Sequence, residues 1–310
     1  MTTLEFFQIV LFFALLIVCT PLLGSYMARV FSGQTPLVSR LMRPVENLLY
    51  RLIGTDTQTE QDWKTYAVAL LIFNLIGFLF VFILQLIQAS LPLNPAGLPN
   101  VEPLLAFNTA TSFVTNTNWQ SYAGETTLSY LTQMIGLTVQ NFVSAATGIA
   151  VVVALTRGLI ARSGKSLGNF WVDLTRSTLY ILLPLSIFLA VLLVGQGVVQ
   201  NFNAPVAVTT LSDDPQMLPQ GAAASQTAIK QLGTNGGGYF NANSAHPFEN
   251  PTPFSNFLQM FSILLIPAAL TSTYGTMVGS RRQGWAIFAA MLIVLVAGLS
   301  VMLVAEYRPN

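Results

Sequence analysis

Charge is scarce in this chain: Asp, Glu, Lys and Arg make up 8% of its 310 residues, against 53% apolar residues. A soluble domain carries roughly 25% charged residues. The two soluble domains that length alone would allow therefore give way to one polytopic membrane unit. Cysteine occurs once, as Cys19, which excludes an intrachain disulfide and reads as a small buried apolar side chain. Histidine also occurs once, as His246. It forms an H-x-x-E string with Glu249 beside Pro247, but no second imidazole can join it in a zinc site. There is no Walker lysine loop and no Asp-Lys-Thr-Gly-Thr phosphorylation motif, so the chain is not expected to hydrolyse ATP. The N-terminus lacks a basic region and a small-residue cleavage site, and reads as a retained transmembrane helix.

Long hydrophobic runs are what the chain does have. Six of them, near 4–23, 66–89, 128–155, 179–199, 254–276 and 285–304, approach or exceed the roughly 20 residues that cross a bilayer core. The fold class expected is an all-α polytopic membrane protein. The third run is long and contains Gly136, Thr147 and Gly148, which predicts tilt or a local break. Pro184 and Pro267 lie inside the fourth and fifth runs and predict kinks.

The few cations are unevenly placed. Arg29, Arg40, Arg43, Arg51 and Lys64 fall between runs one and two. Arg157, Arg162, Lys165 and Arg176 fall between three and four, and Arg281 and Arg282 between five and six. These are 11 of the 13 basic residues, with Lys230 and Arg308 the exceptions. The positive-inside rule then makes these loops cytoplasmic and the N-terminus external. The outer loops carry Glu102, Glu125, Asp213, Asp214 and Glu249, either an acidic vestibule that concentrates cations or ordinary solvated charges. Arg157 and Arg176 are expected to snorkel to the interface.

Two outer segments stand apart. Residues 103–113 and 222–232 each read as a short helix too short to cross, and each ends in a Thr-Asn segment. Phe113-Val114-Thr115-Asn116-Thr117-Asn118 aligns with Leu232-Gly233-Thr234-Asn235-Gly236-Gly237. Each lies between two apolar runs, so the unit is span, re-entrant loop, span, and it occurs twice. Non-helical backbone at membrane depth is tolerated only where it is buried in protein or faces water. Half-helices that end at such a loop aim their negative dipole ends at a cation. A Thr-Asn-Gly-Gly-Gly stretch frees carbonyl oxygens to replace an ion's hydration shell, as in a potassium filter. Lys230, one turn before the second loop, is expected to point away from the pore and cap its helix dipole. Asn74, Gln85, Gln88, Gln140 and Asn141 are expected to bond neighbouring helices; Gln140-Asn141 could also line a path below the filter.

The string from Phe113 to Tyr122, with Gly124-Glu125-Thr126-Thr127-Leu128-Ser129-Tyr130 behind it, closely resembles the first pore loop of the KdpA family. Leu232 to Ser244 and His246-Pro247-Phe248-Glu249-Asn250-Pro251 resemble the second. Leu137-Thr138-Val139-Gln140-Asn141-Phe142 and Arg281-Arg282-Gln283-Gly284 also match. The resemblance runs the whole length. It implies the non-catalytic, potassium-binding subunit of an ATP-driven uptake system in the bacterial inner membrane. A P-type ATPase subunit and small accessory subunits are the partners, lipid surrounds it, and nucleic acid is not expected. Potassium is the ion bound.

Carried over by residue, the filter wall is Val114, Thr115, Asn116 and Thr117 from the first loop, and Thr234, Asn235, Gly236 and Gly237 from the second. Asn118, Gln120 and Gly238 stand near the ion path. The implied organisation is an N-terminal helix (1–30), a first pore repeat (66–158), a second (172–278) and the first helix of a third (285–310). The family has four repeats, so this chain resembles its first half, and two loops cannot encircle an ion. Three alternatives follow: a separate chain supplies the rest, two copies close a ring as a passive channel, or the chain is a truncated remnant.

Overall fold

The computed structural model describes residues 2–34, 39–161 and 166–307. In chain order the helices are α1 (Thr3–Phe31), α2 (Ser39–Ile53), α3 (Trp63–Leu86), α4 (Pro103–Val114), α5 (Thr132–Ile160) and α6 (Phe170–Gly195). An antiparallel hairpin follows, β1 (Val206–Thr209) and β2 (Pro215–Leu218), with Val206 opposite Leu218. Then come α7 (Ala223–Leu232), α8 (Pro253–Met277) and α9 (Arg281–Glu306). Six of these, α1, α3, α5, α6, α8 and α9, are long and apolar enough to cross a membrane. The chain is thus helical and polytopic, as its hydrophobic runs indicated.

Leu71, Ile76, Phe188, Val191 and Val294 lie exposed on the outside of these helices, where lipid, not water, is the solvent that accepts them. Inside, the main core joins α1, α3, α5, α6, α7 and α8 through residues such as Met27, Val153, Ile181, Leu193 and Ile229. A second cluster, with Val81, Ala106, Phe113 and Leu137, seats α4 against α3 and α5. The α1–α8 contact is close enough to need glycine: a Cβ on Gly24 would stand 2.5 Å from the Ser272 Cβ and 2.6 Å from the Ala269 carbonyl oxygen. Small residues at crossings let membrane helices approach, because packing rather than the hydrophobic effect holds them together.

The structure moves the start of the fourth span and explains why. Helix α6 starts at Phe170, nine positions before the hydrophobic run, because Asp173 and Arg176 interrupt the apolar pattern. Both charges are neutralised by pairing. Arg157 grips Asp173 with two nitrogens, at 2.6 and 3.0 Å, and also donates to the Leu167 carbonyl at 3.0 Å. Arg176 Nε meets Glu46 Oε1 at 3.3 Å. Neither arginine is therefore the simple snorkelling side chain expected from its place at a span end.

The expected break in the third span is a π-helical segment, Thr132–Thr138, that contains Gly136; Thr147 and Gly148 lie in regular helix beyond it. A second π segment, Ser177–Leu182, precedes Pro184 and absorbs the backbone bond that proline cannot make. Pro267 lies within α8, which runs without interruption from Pro253 to Met277.

Candidate functional site

Each half-helix is placed by its own local chemistry. Pro103 opens α4, where its missing N–H costs nothing, and Glu102 accepts from the Leu105 N–H at 3.0 Å. Gln85 of α3 donates to the Ala106 carbonyl at 3.2 Å and to Val81 at 2.9 Å. Phe107 packs edge-on against Phe78 at 5.4 Å. Helix α7 sits deeper: every residue from Ala223 to Leu232 except Ser225 is buried. The expected half-helices at 103–113 and 222–232 are therefore present, each within a residue of its expected bounds.

Both helices end where the loops begin, and loop amides satisfy their last carbonyls. Thr117 and Asn118 donate to the Ser112 carbonyl at 3.0 and 3.2 Å. In the second unit Asn235 donates to Lys230 at 2.9 Å and Thr234 to Gln231 at 3.1 Å. Left-handed backbone recurs in both loops, at Asn116 (φ 60°) and Asn118 (φ 54°), and at Thr234 (φ 54°), Gly236 (φ 84°) and Gly237 (φ 67°). Outside glycine, such angles are uncommon and mark a chain held by its surroundings.

The loops repeat one pattern of exposure. Thr115 and Thr117 are exposed, while Asn116 is half-buried and Asn118 buried. At the aligned positions Thr234 and Gly236 are exposed, while Asn235 and Gly237 are buried. Val114 and Gln120 are half-buried, and Gly238 is buried. Alternate residues thus present themselves to an open side, and the residues between them turn into the protein.

The inward residues tie the loops together. Asn235 Nδ2 bonds Asn116 Oδ1, and Asn116 Nδ2 reaches the Gly233 carbonyl at 3.3 Å. Asn118 Nδ2 donates to Asn141 Oδ1 at 2.6 Å and lies 3.5 Å from the Gly236 carbonyl oxygen. Gln120 brackets Gly238, accepting from its N–H at 2.8 Å and donating to its carbonyl at 3.1 Å. Behind them stands α5. Ser144 Oγ donates to Asn116 Oδ1 at 2.8 Å and accepts from Asn235 at 3.2 Å, and the Asn141 carbonyl accepts from Asn235 at 3.2 Å. The asparagine side chains therefore brace the loops. Ser112 and Ser144, which the sequence did not single out, complete the brace.

Glycine is required where the loops touch. A Cβ on Gly237 would stand 2.8 Å from the Asn118 carbonyl oxygen and 2.9 Å from Gln120 Oε1. At Gly236 the same atom would sit 3.6 Å from the Thr117 carbonyl oxygen, so there the left-handed angle is the constraint.

Two outer-loop expectations fail here for one reason. Glu249 is not part of an acidic vestibule: it is 0% exposed and paired with Lys230, which is 2% exposed. Lys230 accordingly does not serve as a free cap on its helix. The other Glu249 oxygen accepts from the Phe240 N–H at 2.7 Å, at the end of the second loop. His246 Nδ1 accepts from the Phe248 N–H at 3.1 Å and its ring packs on Phe240 at 4.5 Å, so the two members of the H-x-x-E string have different partners.

Comparison with known proteins bears on this arrangement. The family model KdpA, described as the potassium-transporting ATPase A subunit, matches residues 10–310. The chain belongs to the KdpA family. It is 59% identical over 310 residues to a protein of Rhodospirillum centenum, covering 100% of this chain and 54% of the relative. It is 57% identical to one of Pseudomonas aeruginosa, covering 100% and 55%. It is 58% identical over 314 residues to one of Herpetosiphon aurantiacus, covering 98% and 54%. Each relative is named potassium-transporting ATPase potassium-binding subunit. The chain spans about half the length of the curated KdpA relatives it matches.

Proposed function

We propose that this chain binds potassium from outside the cell at its two loops and forms part of the non-catalytic subunit of an ATP-driven potassium uptake system of the bacterial inner membrane. The supporting observation is the shared rhythm of the loops: Thr115 and Thr117, like Thr234 and Gly236, face an open side while the residues between them are anchored behind. Backbone carbonyls and threonine hydroxyls on that side are the hard oxygen donors that replace water around potassium. Val114, Thr115, Asn116 and Thr117 make one wall, and Thr234, Asn235, Gly236 and Gly237 a second. Asn118, Gln120 and Gly238 hold the walls in register. Residues 66–158 and 172–278 are the two pore repeats, preceded by an N-terminal helix (1–30) and followed by the first helix of another repeat (285–310).

Two walls leave an ion half coordinated. The other two come from sequence beyond these 310 residues, from a separate chain, or from a second copy. ATP hydrolysis belongs to a P-type ATPase partner accompanied by small accessory subunits. The basic loops face the cytoplasm, and the loops of the site face outward.

Tracer potassium uptake in cells stripped of their own potassium transporters tests this reading. Uptake is expected when the chain is expressed with the remainder of the family's length and with the ATPase and accessory subunits. Uptake by the chain alone would favour a passive channel closed by two copies. Absence of uptake in the complete combination would refute the reading.

A further inference from the structure

Helix α2 lies between the first two spans and has no part in the site above. It has 15 residues, about 22 Å at 1.5 Å per residue, against roughly 30 Å for a bilayer core. Its surface divides three ways when residues are set at about 100° each around the axis. One side faces the protein. There Glu46 and Tyr50 are buried, and Met42 packs on the main core. Glu46 accepts from the Tyr180 hydroxyl at 2.5 Å, from the Tyr50 hydroxyl at 2.8 Å and from Arg176 at 3.3 Å. Burial, reinforced by the Glu46 carboxylate, raises the Tyr50 phenol well above its ordinary pKa, so it stays a donor.

The second side is an apolar stripe of Leu41, Val45, Leu48 and Leu52, exposed at 73%, 43%, 54% and 74%. All four fall within an arc of about 60°. The third side is polar, with Arg43, Asn47 and Arg51, all exposed. The Glu46 bonds fix the helix's rotation, so the stripe cannot turn inward.

The level of the helix is fixed as well. Its anchors Arg176 and Tyr180 lie roughly 9 and 15 Å along α6 from its first residue. That end of the molecule also carries Trp171, and Trp63 with Lys64 at the start of α3. Tryptophans at span ends mark the headgroup level. An amphipathic helix at this depth, apolar on one side and arginine-bearing on another, has the form of one that lies in the membrane surface.

We infer that α2 is a membrane-surface helix, with Leu41, Val45, Leu48 and Leu52 set among lipid acyl chains and Arg43 and Arg51 on lipid phosphates. The occupant of the stripe is lipid because arginines border it, complementary in charge to the phosphate layer above the acyl chains.

The test uses the protein purified from membranes with its accompanying subunits, carrying Cys19→Ala and either Leu48→Cys or Asn47→Cys labelled with a fluorophore. Each is reconstituted in phosphatidylcholine–phosphatidylglycerol vesicles. The Leu48→Cys label should lose fluorescence to phosphatidylcholine spin-labelled high on its acyl chain and resist aqueous iodide. The Asn47→Cys label should show the reverse. Quenching of the Leu48→Cys label by iodide would place the stripe in water and overturn the inference. Resistance to both quenchers would place a protein surface over the stripe and overturn it equally.

Discussion

Replacing Lys230 by methionine removes one partner of an ion pair whose two side chains are 2% and 0% exposed. The methionine fills similar space, so the loss is electrostatic rather than a cavity. Breaking a buried pair from one side leaves the other charge uncompensated and costs about 3–5 kcal/mol. That is a factor of roughly 150–5,000 in the folding equilibrium. The Phe240 N–H bond to Glu249 offsets little of it, since one amide cannot neutralise a carboxylate. The double variant Lys230→Met with Glu249→Gln removes both charges and keeps an acceptor for Phe240, so it should recover most of the loss. Denaturant unfolding in detergent, followed by tryptophan fluorescence, measures each variant against the exposed control Lys64→Met, expected within about 0.5 kcal/mol of the parent. The reasoning is refuted if Lys230→Met is as stable as that control, or if the double variant is no better than the single. Because the ammonium is held by Glu249 inside the protein, the fraction that folds should keep the parent's ion preference.

Three further outcomes follow from the same geometry. Gly237→Ala meets the Asn118 carbonyl at 2.8 Å in a left-handed backbone; it should separate the loops and lower potassium affinity in a binding titration more than Gly236→Ala, whose added carbon has room. Gln120→Leu removes two bonds to Gly238, each worth about 1 kcal/mol, and should shift the unfolding midpoint downward and weaken potassium binding together. Asp173→Asn takes the bidentate carboxylate from Arg157, a loss of about 2 kcal/mol for charge-assisted bonds that should show in unfolding while leaving ion preference unchanged.

Much of the fold was legible because a bilayer imposes a coarse and repeated rule: about 20 apolar residues per crossing, with polar backbone admitted only in re-entrant loops. The helical polytopic class follows from that rule, and so do the two half-helices. The start of α6 was hidden because Asp173 and Arg176 break the apolar run, and only their distant partners Arg157 and Glu46 make them tolerable at that depth. Glu249 read as a vestibule acid for the same reason: it pairs with a lysine 19 residues away, which composition cannot reveal. The asparagines were legible as members of the loops but not as braces, since their partners Ser144 and Asn141 lie on α5. The β1–β2 hairpin was missed, a short excursion with no apolar alternation long enough to register. The irregularities near Gly136 and Pro184 were legible as a break and a kink, but their π-helical form was not, since it follows from packing around those two residues.

The claim that these loops select potassium is tested most directly at Gly236, exposed on the open side with a φ of 84°. The measurement compares potassium and rubidium uptake by the parent and by Gly236→Ser, each within the complete transport system and at equal amounts in the membrane. The account predicts weaker potassium affinity and a relaxed preference for potassium over rubidium. Unchanged affinity together with unchanged preference would remove Gly236, and the wall built on it, from the filter.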